Sequence, residues 1–205
     1  MAGYKSGRGL RIGILGGSFN PAHDGHLHIS REALKRLNLD RVWWMVSPQN
    51  PLKSSDDMAP LAQRMETARL QAKHPRIDVT DIETRLGSTF TADSLLKLSL
   101  RYPRHRFVWL MGADNLIQIP HWKDWNKIFM RVPIAIFGRP SYDSKALFGK
   151  AAIRYRSSRV SERDVAGLVD CTPPAWAFLA IRRHAASATA IRHSGRKGVV
   201  NHSDP

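Results

Sequence analysis

Apolar residues are arranged along this chain in two alternating patterns. Short runs of consecutive apolar residues, rich in β-branched side chains and bounded by Gly, Ser or Pro, are typical of strands that are buried on both faces. The predicted strands are residues 11–15, 42–46, 77–82, 107–111, 132–137 and 176–181. Because Pro133 lacks the N–H for a ladder hydrogen bond, we expect it at a strand start or on an edge strand.

Between these runs, apolar residues recur every three or four positions, which predicts helices. In the first helix the stripe is Leu27, Ile29, Ala33, Leu34 and Leu37, followed by a stop at Asn38. A second helix begins at Pro60 and carries the stripe Leu61, Met65, Ala68 and Ala72. Residues 91–100 form a third predicted helix, with Asp93 placed to suit its dipole. Residues 189–196 are expected to form a short final helix, and 145–170 show no clean period.

Alternation of apolar strands with helices predicts an α/β fold, in which a doubly wound, Rossmann-like parallel sheet has helices on both faces. At 205 residues with 42% hydrophobic content, one domain is expected. We place that domain at residues 10–197, between an N-terminal extension (1–9) and a flexible tail (198–205).

Composition narrows the environment and the partners. No run of about 18 apolar residues and no signal peptide is visible, so a cytoplasmic protein is expected. The single Cys171 excludes an internal disulfide. The net charge of +15 is compatible with a polyphosphate substrate, a membrane or nucleic acid. Much of the excess of Lys and Arg lies late in the chain, where no DNA-reading module is recognisable. It therefore favours a solvated basic face over the alternative of a basic nucleic-acid-binding module.

The segment with the clearest chemistry is GGSFNPAHDGH, residues 16–26, between the first strand and the first helix. In a parallel sheet this turn lies at the carboxyl edge, where ligands bind. Gly16 and Gly17 let backbone N–H groups approach a phosphate closely, and the following helix N-terminus adds partial positive charge. Since neither the Rossmann glycine pattern nor the Walker lysine motif is present, the loop predicts a different kind of polyphosphate site.

His23 and His26 stand three residues apart, which brings both imidazoles near one point where the chain begins to coil. One alternative is that a histidine only caps the helix, and this would be favoured for an isolated pair. Between a Gly-rich turn and a helix start, phosphate contact is favoured instead, because both rings can donate hydrogen bonds to oxygens. A zinc site is the weakest interpretation.

These residues resemble the nucleotidyltransferase signature GxFxPxHxGH, at Gly17, Phe19, Pro21, His23, Gly25 and His26. A second family motif, (S/T)-(S/A)-T-x-I-R, is matched by residues 187–192, about 160 residues later. The resemblance narrows to bacterial nicotinate-nucleotide adenylyltransferase. It is carried further by Lys53, Arg64, the segment 87–93 with one extra residue in its spacing, the GAD of residues 112–114, Trp122, Trp125, and the Arg-Pro of residues 139–140. The related pantetheine-phosphate enzymes usually have Thr where His23 stands, which argues against that relative.

The resemblance implies transfer of AMP from ATP to nicotinate mononucleotide, which yields nicotinate adenine dinucleotide and pyrophosphate for NAD biosynthesis. Because a phosphate is already a nucleophile, catalysis would consist of positioning and charge neutralisation, with no serine, cysteine or general base. Mg²⁺ would accompany ATP, held by phosphate and water without protein ligands. Nicotinamide mononucleotide or phosphopantetheine stays open as the acceptor. No membrane or nucleic-acid partner is expected, and the sequence is compatible with a homo-oligomer.

The same resemblance assigns the site residues. The catalytic residues would be His23, His26, Lys53 and Arg192. ATP would be bound by Gly16, Gly17, Ser18, Phe19, His23, His26, Ser187, Thr189 and Arg192. The acceptor would be bound by Lys53, Arg64, Phe90, Thr91, Asp114 and Trp122. Three other tryptophans, Trp43, Trp44 and Trp109, lie in predicted strands and are expected in the core.

Overall fold

The computed structural model describes residues 9–48, 58–138 and 143–181, and within them the chain forms one sheet in which all neighbouring strands are parallel. Its strands are β1 (Arg11–Gly17), β2 (Arg41–Val46), β3 (Ile77–Thr80), β4 (Arg106–Gly112), β5 (Ile134–Gly138) and β6 (Trp176–Ala180), in the order β3-β2-β1-β4-β5-β6. The chain runs outward from β1 to β3 and then returns to β4 on the other side of β1. The carboxyl ends of β1 and β4 therefore form the switch point at which open α/β sheets bind ligands.

Helices connect the strands. They are α1 (Asp24–Arg36), α2 (Leu61–Gln71), α3 (Ile82–Leu86), α4 (Thr91–Arg101), α5 (Ala113–Gln118), α6 (Trp125–Arg131), α7 (Asp143–Leu147) and α8 (Lys150–Arg154). Short 3₁₀ segments cover Ile119–His121, Arg156–Ser158 and Glu162–Asp170. Among the described residues, no helix is long and apolar enough to span a membrane.

Two hydrophobic cores lie on the two faces of the sheet, because successive side chains of a strand point in opposite directions. On β4, Phe107, Trp109 and Met111 join the core formed with α4, α5 and α6. Val108 and Leu110 of the same strand join the core formed with α1, α2 and the 3₁₀ segment Glu162–Asp170. Burial on both faces explains why the strands are continuously apolar, and it confirms the predicted doubly wound α/β fold.

The strand predictions need two corrections. The predicted strand 77–82 is too long, because β3 ends at Thr80 and Ile82 begins α3, where its side chain is buried as a helical residue. The predicted strand 132–137 begins too early, because β5 starts at Ile134. Pro133 lies just before β5, where its carbonyl accepts a hydrogen bond from the Trp109 N–H at 2.9 Å. Its missing N–H therefore interrupts no ladder.

Several helices were not predicted. Both α5 and α6 are too short to show a clear period, and α8 and the 3₁₀ segment Glu162–Asp170 occupy part of the unassigned stretch 145–170. The predicted helix 189–196 and the tail 198–205 lie outside the described residues.

The end of β1 passes directly over an indole. Trp44 and Trp109 are buried as expected, and Trp43 is half-buried against one of the cores. A Cβ atom on Gly16 would lie 2.2 Å from Cη2 of Trp109, so only a glycine lets the two strands approach this closely. The glycine at this position is therefore required by packing as well as by the ligand loop that follows it.

Replacing Gly16 should test this packing. We expect Gly16→Ala to lower the free energy of unfolding by about 1–3 kcal/mol, because a buried ring must move to accept the methyl group. The measurement is urea denaturation followed by fluorescence. Gly167→Ala is the matched control, since a Cβ atom there meets no heavy atom within 4 Å. Equal stability of the two variants would contradict the packing argument.

Candidate functional site

The loop that joins β1 to α1 lies at the switch point of the sheet. It leaves β1 after Gly17 and turns at Phe19, whose φ of 47° lies in the left-handed region that non-glycine residues rarely adopt. The Phe19 side chain is only 1% exposed. Its ring packs 4.7 Å from the His26 ring and 5.2 Å from the Trp44 ring, centroid to centroid. Phe19 is therefore a support beneath His26, and its ring faces the core.

The two signature histidines form the N-terminal cap of α1. Nδ1 of His23 accepts a hydrogen bond from the Gly25 N–H at 3.1 Å, and Nδ1 of His26 accepts one from the His23 N–H at 3.1 Å. This is a capping box in which histidines replace the usual Ser or Thr and Glu or Gln. The sequence left open that one histidine caps the helix, and in the structure both histidines do so.

Capping determines which nitrogen of each ring can donate. Because Nδ1 accepts a hydrogen bond in both His23 and His26, the neutral imidazoles carry their proton on Nε2. The ring centroids are 3.9 Å apart, so the two Nε2–H donors belong to one compact pair. Capping and phosphate contact are therefore compatible, since they use opposite nitrogens of the same rings.

A buried polar chain supports His26 from below. The Trp44 indole N–H donates to Oγ of Ser30 at 2.7 Å, and the Ser30 hydroxyl donates to the His26 carbonyl at 2.8 Å. Ser30 and Trp44 are completely buried. The first turn of α1 is consequently fixed to β2 by hydrogen bonds as well as by apolar packing.

Arg64 of α2 is 2% exposed and is surrounded by backbone carbonyls. Nε donates to the Ala59 carbonyl at 2.8 Å, and a terminal nitrogen donates to the Ser18 carbonyl at 2.7 Å and to the Ser47 carbonyl at 2.8 Å. The other terminal nitrogen donates to the Pro48 carbonyl at 2.9 Å. Burial lowers the pKa of this guanidinium. The resemblance assigns Arg64 to the acceptor, and in the structure four of its N–H groups donate to main-chain oxygens.

The predicted acceptor residues Phe90 and Thr91 begin α4, and both are half-buried. Nζ of Lys123 lies 4.4 Å from the centroid of the Phe90 ring, in a cation–π contact. The segment that contains Trp122 is thereby brought beside the start of α4. Sequence reasoning missed Lys123, although its place next to Trp122 was a usable signal.

Two other predicted acceptor residues follow β4. Asp114 is the second residue of α5 and is half-buried, and its Oδ1 lies 2.4 Å from where a Cβ atom on Gly112 would be. Trp122 is half-buried against the core that contains α4 and α6. Trp125 is 9% exposed and meets the Phe129 and Tyr155 rings edge to face, which makes it a core residue.

Glu83 of α3 has a buried carboxyl group, which was not predicted, and it links α4 to the end of β2. Its Oε1 accepts a hydrogen bond from the Ser94 hydroxyl at 2.6 Å, and Ser94 Oγ lies 3.0 Å from Ser88 Oγ. A side-chain hydrogen bond also joins Glu83 to Ser47 at the end of β2. Burial raises the pKa of Glu83, and the bonds from Ser94 and Ser47 partly oppose that rise. Sequence reasoning missed Glu83 because the segment around it was taken as a strand end.

Four predicted site residues, Lys53, Ser187, Thr189 and Arg192, lie outside the described residues, as do Arg139 and Pro140. The basic side chains of residues 145–163 lie far along the chain from the signature loop. Two of them cover aromatic rings, since Arg154 lies over Tyr155 and Arg159 over Trp176, at 5.8 and 5.4 Å from the ring centroids.

Comparison with known proteins identifies a family. Residues 14–194 match the model of the family described as cytidylyltransferase-like. The chain is 53% identical over 187 residues to a probable nicotinate-nucleotide adenylyltransferase of Parvibaculum lavamentivorans, which covers 91% of this chain and 93% of the relative. It is 46% identical over 202 residues to a protein of the same description from Gluconacetobacter diazotrophicus, covering 98% and 94%.

Solved structures share the fold at lower identity. The Plasmodium falciparum nicotinic acid mononucleotide adenylyltransferase complexed with NaAD matches with a TM-score of 0.69 at 17% identity, over 90% of this chain and 83% of that one. The complex of the same enzyme with APC matches with a TM-score of 0.66 at 16% identity and the same coverage. These matches support the observed architecture.

The buried Glu83 predicts a pH dependence of stability. A carboxyl group whose pKa is raised by folding contributes stability that is present at low pH and lost as pH rises through the folded-state pKa. Glu83→Gln does not titrate. We therefore expect its free energy of unfolding, relative to the parent, to increase from pH 4 towards pH 8. Denaturant titrations across this range measure the trend.

Glu66→Gln, on the exposed face of α2, controls for the loss of one negative charge. A stability difference for Glu83→Gln that stays flat or falls with pH would contradict the burial argument.

Proposed function

The chain belongs to the nicotinate-nucleotide adenylyltransferases within the cytidylyltransferase-like family, and we propose that it transfers AMP from ATP to nicotinate mononucleotide. The observation that carries the proposal is the histidine cap at the switch point, which puts two imidazole rings 3.9 Å apart at the positive end of α1. Identity of about half over nine-tenths of the chain to relatives of that description supports it. The products would be nicotinate adenine dinucleotide and pyrophosphate, a step in NAD biosynthesis.

The reaction requires donors for negative charge and no protein nucleophile. A phosphate oxygen of the acceptor attacks the α-phosphorus of ATP, and the bond from that phosphorus to the pyrophosphate oxygen breaks in line. Charge accumulates on the transferred phosphoryl group and on the leaving pyrophosphate. Hydrogen-bond donors that are fixed before the reaction stabilise this charge without reorganisation.

The cap supplies such fixed donors. We assign His23 and His26 to the phosphates of ATP, with His26 nearer the transferring group, and Gly16, Gly17 and Ser18 to the approach of the backbone. Each ring is held at Nδ1 by the backbone of α1, so its Nε2–H direction is fixed before substrate arrives. Mg²⁺ would enter with ATP, bound to phosphate oxygens and water, and would neutralise part of the phosphate charge.

The remaining assignments stay with the resemblance. Ser187, Thr189 and Arg192 are proposed to bind the phosphates of ATP. The acceptor is assigned to Lys53, Phe90, Thr91, Asp114 and Trp122, and Lys53 and Arg192 are also proposed to be catalytic. The contact between Lys123 and Phe90 places a positive charge beside the residues proposed for the acceptor, which suits the carboxylate of nicotinate. This charge favours nicotinate mononucleotide over its amide.

Turnover assays test the reaction and the acceptor together. With ATP and Mg²⁺, we expect pyrophosphate and dinucleotide to form fastest with nicotinate mononucleotide. The site would pair Lys123 with the carboxylate of nicotinate, which the amide lacks. The value of kcat/KM for nicotinate mononucleotide should therefore exceed that for nicotinamide mononucleotide by about tenfold or more. Phosphopantetheine should not be a substrate. The absence of turnover with any pyridine mononucleotide would contradict the proposal.

Variants of His26 separate its two roles. His26→Ala should lower kcat by about 10²–10³-fold, the scale for loss of a fixed donor, and should also lose a cap bond worth about 0.5–2 kcal/mol. Glu is the usual residue at this position of a capping box and accepts without donating, so His26→Glu should recover the stability but not the activity. Steady-state kinetics and thermal unfolding measure the two effects. An active His26→Ala variant would refute the assigned role.

A further inference from the structure

Arg64 is a buried cation that donates four hydrogen bonds to backbone carbonyls. They come from three separate segments: Ser18 in the signature loop, Ser47 and Pro48 after β2, and Ala59 before α2. All four donor–acceptor distances lie between 2.7 and 2.9 Å, within the range expected for hydrogen bonds from a charged donor. A single side chain therefore connects the ends of two neighbouring strands.

The guanidinium shape is what makes this connection possible. Arg carries five N–H donors in a rigid plane, and four hydrogen bonds leave one N–H of the five. Lys has its three donors on one nitrogen and cannot reach oxygens that are spread around the edge of a guanidinium plane. At 2% exposure, the group has little surface with which to contact a substrate.

The four bonds of Arg64, which we call the clamp, hold the loop that carries the signature histidines. Ser18 immediately precedes Phe19, the residue with positive φ whose ring lies under His26. The Asn20 side chain accepts a second bond to the same region from the Ala59 N–H at 3.3 Å. Movement of the Ser18 carbonyl would therefore move the support of the catalytic histidine.

We propose that Arg64 is a positioning residue, which sets the signature loop against the end of β2 and thereby places the His26 donor, and that it does not bind the acceptor. The kinetic consequence rests on the proposed function. A misplacement of about 1 Å at a reacting group can lower a rate 10²-fold, so the clamp can control kcat without touching substrate.

Arg64→Lys and Arg64→Gln test this role, with Arg69→Gln on the exposed side of the same helix as control. We expect both Arg64 variants to lower kcat by about 10- to 100-fold, with KM for nicotinate mononucleotide unchanged within about threefold. A third variant, Arg64→Ala, leaves space for a guanidinium ion, and millimolar guanidinium should restore part of its activity. The ¹⁵N resonances of the His23 and His26 imidazoles should shift in the Arg64 variants and stay in place in Arg69→Gln.

A rise in acceptor KM at constant kcat, with unchanged histidine resonances, would overturn the proposal in favour of direct acceptor binding. A loss of stability alone, with parental kcat and resonances in the folded fraction, would overturn it in favour of a purely structural role. If the parent protein shows no turnover, the proposed function fails, whereas the histidine resonances still decide whether Arg64 places the loop.

Discussion

The histidine capping box is the constraint on which the site depends. A helix N-terminus leaves backbone N–H groups without intrahelical partners, and here His23 and His26 satisfy two of the backbone donors in this turn through Nδ1. The same bonds fix the rotation and the tautomer of both rings. The hydrogen bonds that form the helix cap therefore also orient the rings.

The fold could be predicted from the sequence where burial alone determines the pattern. β2 and β4 are buried on both faces, so their apolar runs are unbroken, and the parallel architecture follows. Prediction failed where one alternating apolar run covered the end of a strand and the start of a helix. Ile82 follows an alternating, strand-like pattern, but it is the first residue of α3 and is buried there. An apolar residue in the sequence predicts burial, but it does not tell whether the buried residue belongs to a strand or to a helix.

The site was predictable to the extent that it is encoded in adjacent residues. The signature loop is continuous in sequence, so its glycines and histidines could be assigned before the structure was known. Arg64 and Glu83 depend on contacts 5 to 46 residues away along the chain. Whether a guanidinium meets a phosphate or a carbonyl is decided by burial, and the spacing of residues along one helix does not encode that.

The partners of Arg64 have a consequence for how this scaffold can diversify. Since the guanidinium binds main-chain oxygens, the side chains at Ser18, Ser47, Pro48 and Ala59 contribute nothing to these four bonds. These four bonds therefore place a sequence requirement on one position, that of the arginine, and none on the side chains at the four carbonyl positions. Descendants of such a chain could alter what the loops recognise while keeping the distance between them, provided that one arginine is retained.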